Sequence, residues 1–217
     1  MQQSLFTVWL ETGAGSRVDK APAGGMFTFG GLDPEHCEAV ADEDWVPLMK
    51  ESHGHWMFEV EKISVGRTDI FDATPPGFLS RIFGPRRPDP LQAISDTGTS
   101  FILGGRHHVD AIATAVGAYR NVRSQRGEWM TATWLINCDA AYSPVVMRIN
   151  GREYSLTSKV LTMRAEHGNT CLFAIQPVDY SDGGDDGEWV LGAPFIRQYC
   201  NVYDIGGKRI GLAAARV

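Results

Sequence analysis

Gln92-Ala93-Ile94-Ser95-Asp96-Thr97-Gly98-Thr99-Ser100-Phe101 is the stretch on which the reading of this chain turns. Its first half reads as an apolar strand, and its second half is a tight turn that surrounds one carboxylate with hydroxyls. Asp-Thr-Gly alone marks an ordinary turn, because Asp and Gly tolerate the backbone conformations that turns need. The flanks change the reading. An apolar strand leads into Asp96, and the hydroxyl residues after it can hydrogen-bond its carboxylate and tune its acidity. Further along, Trp189-Val190-Leu191-Gly192 is a second apolar strand ending in glycine, followed by Pro194-Phe195-Ile196-Arg197-Gln198-Tyr199.

Around these two segments a period of two dominates. Trp56, Phe58 and Val60 alternate with Met57, Glu59 and Glu61, the pattern of a strand with one buried face. Val145 to Ile149 and Tyr154 to Leu156 flank Asn150-Gly151, a dipeptide that favours a tight β-hairpin turn. Tyr199 to Ile205 and Arg209 to Leu212 surround Gly206-Gly207 in the same way. One amphipathic helix is predicted from about His107 to Ala118, with Val109, Ile112, Ala113 and Val116 on one face. A shorter helix is predicted after Pro194. The proline- and arginine-rich stretch 72–90 and the Gly/Asp stretch 181–187 read as loops. The expectation is a single, mainly β domain over residues 1–217, with no internal repeat.

The composition narrows the function classes. With 217 residues, 43% of them hydrophobic, the chain is long enough to bury a core without metals or dense disulfides. Its 20 basic and 26 acidic residues leave a net charge of -6, which argues against a nucleic-acid partner. No apolar run reaches the length of a membrane span, and residues 1–4 do not read as a signal peptide, so no membrane partner is expected.

Taken in order, these segments resemble the C-terminal lobe of the pepsin-like aspartic peptidases. Asp96-Thr97-Gly98-Thr99-Ser100 resembles the family's second active-site motif, and Trp189-Val190-Leu191-Gly192 with Phe195 to Tyr199 resembles its late glycine motif. Phe27-Thr28-Phe29-Gly30-Gly31-Leu32-Asp33, Trp45-Val46-Pro47-Leu48 and Arg209-Ile210-Gly211-Leu212 fall in the family's order. The likeness covers nearly the whole chain, and Ile94-Ser95 and Tyr199-Cys200-Asn201 are most similar to its nematode branch. The resemblance implies an all-β, pepsin-like acid protease lobe with a few short helices.

It also implies a chemistry. Asp96 would be one of two catalytic aspartates that share a proton, one acting as base on a bound water and the other as acid on the peptide carbonyl. Thr97 would bond across to the partner loop, Thr99 would bond the outer oxygen of Asp96, and Gly98 would keep the floor of the site open. Ile94 and Val190 would be apolar subsite walls, or simply core strand residues. No cofactor and no metal are called for. The substrate would be a peptide or protein in extended form, and the route would be secretory or lysosomal.

The family uses two such motifs, and these 217 residues hold one. The N-terminal lobe, with its own aspartate, would precede Met1, since Leu5 to Leu10 resembles the strand just after the crossing between lobes. That lobe is an expected partner, from the same precursor or a separate chain, and the isolated monomer is expected to be inactive. Two other readings stay open: a homodimer in which each copy gives one Asp, and a non-catalytic peptide-binding or decoy lobe.

The resemblance implies disulfides as well. Cys138 and Cys171 match a bridge found across the family. Cys37 and Cys200 stand where the nematode branch places cysteines, so a second bridge is expected, with two buried free thiols as the alternative. Stretch 72–90 stands where the resemblance implies a short disulfide loop, is longer than the family's usual hairpin there, and is expected to be an insertion, with a specificity loop as the alternative. His107-His108 reads as a solvated helix start, because neighbouring helix residues point apart and no ligand partner has the right spacing. Residues 179–188 lack the ligand order of a calcium loop, and Gly104-Gly105 lacks a dinucleotide fingerprint. No Asn-x-Ser/Thr site occurs.

Overall fold

Strands make up about half of the described backbone, as the two-residue alternation leads one to expect. The computed structural model describes residues 3–11, 24–50, 52, 54–74, 88–122, 132–164, 168–178 and 188–216. The chain begins with β1 (Leu5–Leu10), β2 (Gly25–Phe29), β3 (Trp45–Pro47), β4 (Met57–Val60), β5 (Lys62–Val65) and β6 (Thr68–Asp72). After β7 (Leu91–Ser95) and β8 (Ile102–Gly105) come helix α1 (Arg106–Val116), β9 (Tyr119–Val122) and β10 (Ala132–Asn137). The hairpin β11 (Val145–Ile149) and β12 (Arg152–Leu156) leads to α2 (Ser158–Leu161), β13 (Thr162–Arg164), β14 (Thr170–Phe173) and β15 (Ile175–Val178). The last elements are β16 (Trp189–Leu191), α3 (Ala193–Gln198), β17 (Tyr199–Asp204) and β18 (Arg209–Ala214).

Among the described residues these strands form four sheets, in the orders β2-β1-β17-β18-β3, β13-β14-β10-β9, β12-β11-β5-β6 and β15-β8-β16-β7-β4. One buried cluster joins them, drawing Phe58 from β4, Ile63 from β5, Ile102 from β8, Met147 from β11 and Phe173 from β14. Helix α1 packs Val109, Ile112, Ala113 and Val116 into that cluster, the face its periodicity predicts. Gly117 takes the left-handed conformation at φ 77° and ends the helix before Ala118. No described helix is long and apolar enough to cross a membrane.

Several local expectations change on folding. Asn150 and Gly151 both have positive φ, 48° and 78°, which matches the right-handed twist of the β11–β12 hairpin. At the last hairpin the positive φ falls on Lys208 at 50°, not on Gly206 or Gly207. Gly207 leaves room for the Asp204–Arg209 pair: a Cβ there would stand 2.4 Å from Asp204 Oδ2 and push that carboxylate aside. In β4, Met57 is buried along with Phe58, although Glu59 on the same face as Met57 is exposed, so a strict one-face reading of that strand fails. His107 is exposed, but His108 is buried, edge-on to Phe71 at 5.4 Å, so only half of the pair is a solvated helix start. A helix turns about 100° per residue, and that step carries His108 to the core side next to Val109. Gly104 leaves room for the Trp189 ring, which a Cβ would meet at 2.6 Å, and this packing accounts for a glycine that a nucleotide site does not. Most of stretch 72–90 (75–87) and all of 179–187 lie outside the described residues, so the insertion and the calcium-loop comparison rest on the sequence.

Candidate active site

The turn after β7 has an unusual course. β7 and β8 are consecutive in the chain, yet they are not neighbours in the sheet, because β16 lies between them. β16 runs parallel to β7, with Val190 opposite Ile94, and antiparallel to β8, with Val190 opposite Leu103. Residues 96–101 must therefore arch over the end of β16. The Asp96 N–H donates to the Leu191 carbonyl at 3.2 Å, and the Ala193 N–H donates to the Thr99 carbonyl at 2.8 Å. Gly192 sits under the arch. A Cβ on it would stand 2.3 Å from both the Thr99 and the Phe101 carbonyl oxygens, so only glycine permits this approach.

The arch fixes the carboxylate. The Gly98 N–H donates to Asp96 Oδ1 at 2.8 Å, and the Thr99 hydroxyl donates to Oδ2 at 2.5 Å. Both oxygens thus accept a bond within the turn, which orients the group without burying it. A Cβ on Gly98 would press on Oδ1 at 3.3 Å. Thr97 stands exposed beside Asp96.

Asp96 and Thr97 border a cleft of about 390 Å³ whose apolar wall includes Phe6, Trp56, Ile94 and Val190. Ile94 and Val190 are half-buried and paired across β7 and β16, so they serve both the sheet and the cleft. Phe6 stacks on Tyr203 at 4.5 Å, and Trp56 meets Tyr203 edge-on at 4.9 Å. Below them the Ser95 hydroxyl and the Tyr203 phenol share a hydrogen bond of 2.7 Å, and Asn201 Nδ2 donates to Ser95 Oγ at 2.6 Å. Burial pushes the Tyr203 phenol up, its bonds with Ser95 and Asn201 oppose this, and the Asp96 charge adds to the rise. Tyr203 therefore stays neutral beside the carboxylate.

The structure gathers Asp96, Thr97, Gly98, Thr99, Ile94 and Val190 at one place. It places the four cysteines in two bridges, Cys37–Cys200 and Cys138–Cys171. Sequence reasoning missed Phe6, His55, Trp56, Ser95 and Tyr203, which also border the cleft. Ser95 lies on β7 itself, directly before Asp96; no motif links the other four, which the placing of β1, β17 and the segment leading into β4 brings to β7. Among the described residues no three His, Cys, Asp or Glu side chains form a metal-holding group.

A β-rich fold that carries Asp-Thr-Gly on an arch above an inserted strand, at the edge of an apolar cleft, is of the aspartic-protease type. The chain belongs to the eukaryotic aspartyl protease family, whose family model matches residues 1–215. It is 34% identical over 214 residues to aspartic protease 6 of Caenorhabditis elegans, covering 98% of this chain and 46% of that protein. It is 33% identical over 217 residues to aspartic protease 2 of Necator americanus, covering 100% and 42%. Against chymosin of Ovis aries the identity is 31% over 215 residues, covering 98% and 45%. The chain thus spans somewhat under half the length of the curated relatives it matches.

Proposed function

We propose that this chain is the C-terminal lobe of an aspartic endopeptidase, supplying Asp96 to a catalytic pair whose second aspartate comes from an N-terminal lobe, in the same polypeptide or another chain. One observation carries the reading: the Asp96 carboxylate is held by Gly98 and Thr99, yet stands open at the edge of an apolar cleft. Two carboxylates about 3 Å apart cannot both ionise cheaply, so the pair shares a proton. The ionised member draws a proton from a bound water, and the protonated member donates to the peptide carbonyl as the water oxygen attacks its carbon. In this chain Thr99 and Gly98 keep the Asp96 oxygens aimed, and Thr97 is exposed toward a facing loop.

The substrate is an extended peptide laid along the cleft, with Ile94 and Val190 as apolar walls. A second lobe is also supported by β2, an edge strand whose Met26 and Phe27 are each 46% exposed and whose Phe29 is 74% exposed. Exposed apolar side chains on an open sheet edge suit a surface that is covered in the working assembly. The two bridges support an oxidising, secretory or lysosomal setting.

The test is peptide hydrolysis by the folded chain across about pH 3 to 7, alone and joined to the N-terminal lobe of a nematode relative, each beside Asp96→Ala. The expected result is an inert single chain and an active joined form that Asp96→Ala silences. Hydrolysis that survives Asp96→Ala, or a folded two-lobed form that binds peptide without cutting it, overturns the reading. Activity of the single chain that rises with the square of its concentration assigns the second aspartate to another copy.

A further inference from the structure

The antiparallel register between β4 and β7 pairs Met57 with Ile94 and Phe58 with Ala93. One step beyond the strand, the Ser95 N–H donates to the Trp56 carbonyl at 3.0 Å, so the pairing continues past the end of β4. Carried one step past that bond, the same register brings His55 level with Asp96, and both residues border the same cleft.

His55 is held there by its surroundings. Gly54, at φ 88°, turns the chain just before it, and the His55 N–H donates to the Ser52 carbonyl at 2.8 Å. Trp56, next in the chain, is packed against Phe6 and Tyr203. The imidazole itself is exposed.

The charge of the cleft singles this residue out. The described titratable groups that border it are Asp96, Tyr203 and His55. The Tyr203 phenol is pushed up by burial and stays neutral. Of the described lining residues, His55 alone has a basic side chain, the kind that pairs with a carboxylate.

We propose that His55 is a specificity-determining residue: it selects peptides that place an acidic side chain, Glu or Asp, at the position next to the scissile bond that His55 faces. This rests on the reading of the cleft as a peptide site. The apolar walls take the neighbouring side chains, and the imidazole N–H donates to the carboxylate at the open margin.

The test uses the chain as it stands. Short, otherwise uncharged peptides carry one glutamate walked along the sequence, each beside its glutamine twin. Binding is followed by the backbone amide resonances around Asp96, at about pH 5 and about pH 8, on either side of the range where imidazoles change charge. The expected result is one register in which the glutamate peptide binds about two- to fivefold more tightly than its twin at the lower pH, the range of a partly exposed ion pair. That preference disappears at the higher pH and in His55→Gln, whose unchanged spectrum away from the cleft shows that it is folded. A preference that survives His55→Gln, or no glutamate preference in any register, overturns the proposal while peptide binding at Asp96 still stands. If no peptide perturbs the resonances near Asp96, the proposal and the peptide-site reading fall together.

Discussion

Gly192 passes beneath Thr99 so closely that a Cβ would stand 2.3 Å from the Thr99 carbonyl oxygen. The contact exists because β16 is inserted between β7 and β8, forcing the Asp96 turn to arch over the strand's end. The late glycine and the Asp96 turn are therefore two halves of one device.

Gly192→Ala is expected to destabilise the fold by about 1–3 kcal/mol, the range for overpacking, since backbone and not a mobile side chain must move. A lower urea midpoint with an unchanged slope checks this. A midpoint equal to that of the parent chain shows that the arch has slack.

The hydroxyl of Thr99 and the carboxylate of Asp96 are expected to be energetically coupled. In a double-mutant cycle of Thr99→Val and Asp96→Asn at neutral pH, the coupling should be about 1 kcal/mol, modest because Asp96 is only half-buried. Strictly additive losses would contradict the 2.5 Å bond.

Asp204 gives a pH dependence with a defined sign. Burial raises its pKa, but hydrogen bonds from Arg209 and the Gly207 N–H and the Arg209 charge outweigh that and hold it below the ordinary carboxylate value. A group depressed in the folded state contributes stability above its unfolded pKa and loses it as the pH falls through the folded one. Asp204→Asn should therefore cost up to about 1 kcal/mol at neutral pH, limited by the exposed Arg209, and progressively less as the pH falls through the folded value of Asp204. Urea unfolding at neutral and at acid pH decides; an equal loss at each excludes the ion pair as its source.

The bridges should differ in worth. Cys37–Cys200 spans 163 positions and Cys138–Cys171 spans 33. Loop-closure entropy gives about 5 and about 4 kcal/mol respectively, so replacing the first pair with serine should lower the unfolding free energy more than replacing the second. The reverse order would show that burial of the sulfurs, and not loop length, governs the loss.

Much of this protein was determined by its sequence alone, wherever the deciding physics is local. Asn150-Gly151 forms its turn because both residues accept positive φ, and α1 forms because its apolar residues recur every three or four positions. The Asp96 turn carries its own partners, since Gly98 and Thr99 lie two and three residues from the carboxylate they hold. The tertiary structure alone decided what depends on partners far apart in the chain. Nothing in residues 189–192 announces that this strand slides between β7 and β8, for a strand's pattern records which face is buried and not which edges it joins. Nor does any local signal collect Phe6, His55, Trp56, Val190 and Tyr203 around Asp96, bury His108 while leaving His107 in water, or make Gly207 a matter of space. Those outcomes follow from which surfaces meet once the sheets pack, and they build the cleft around a carboxylate that the sequence had already positioned.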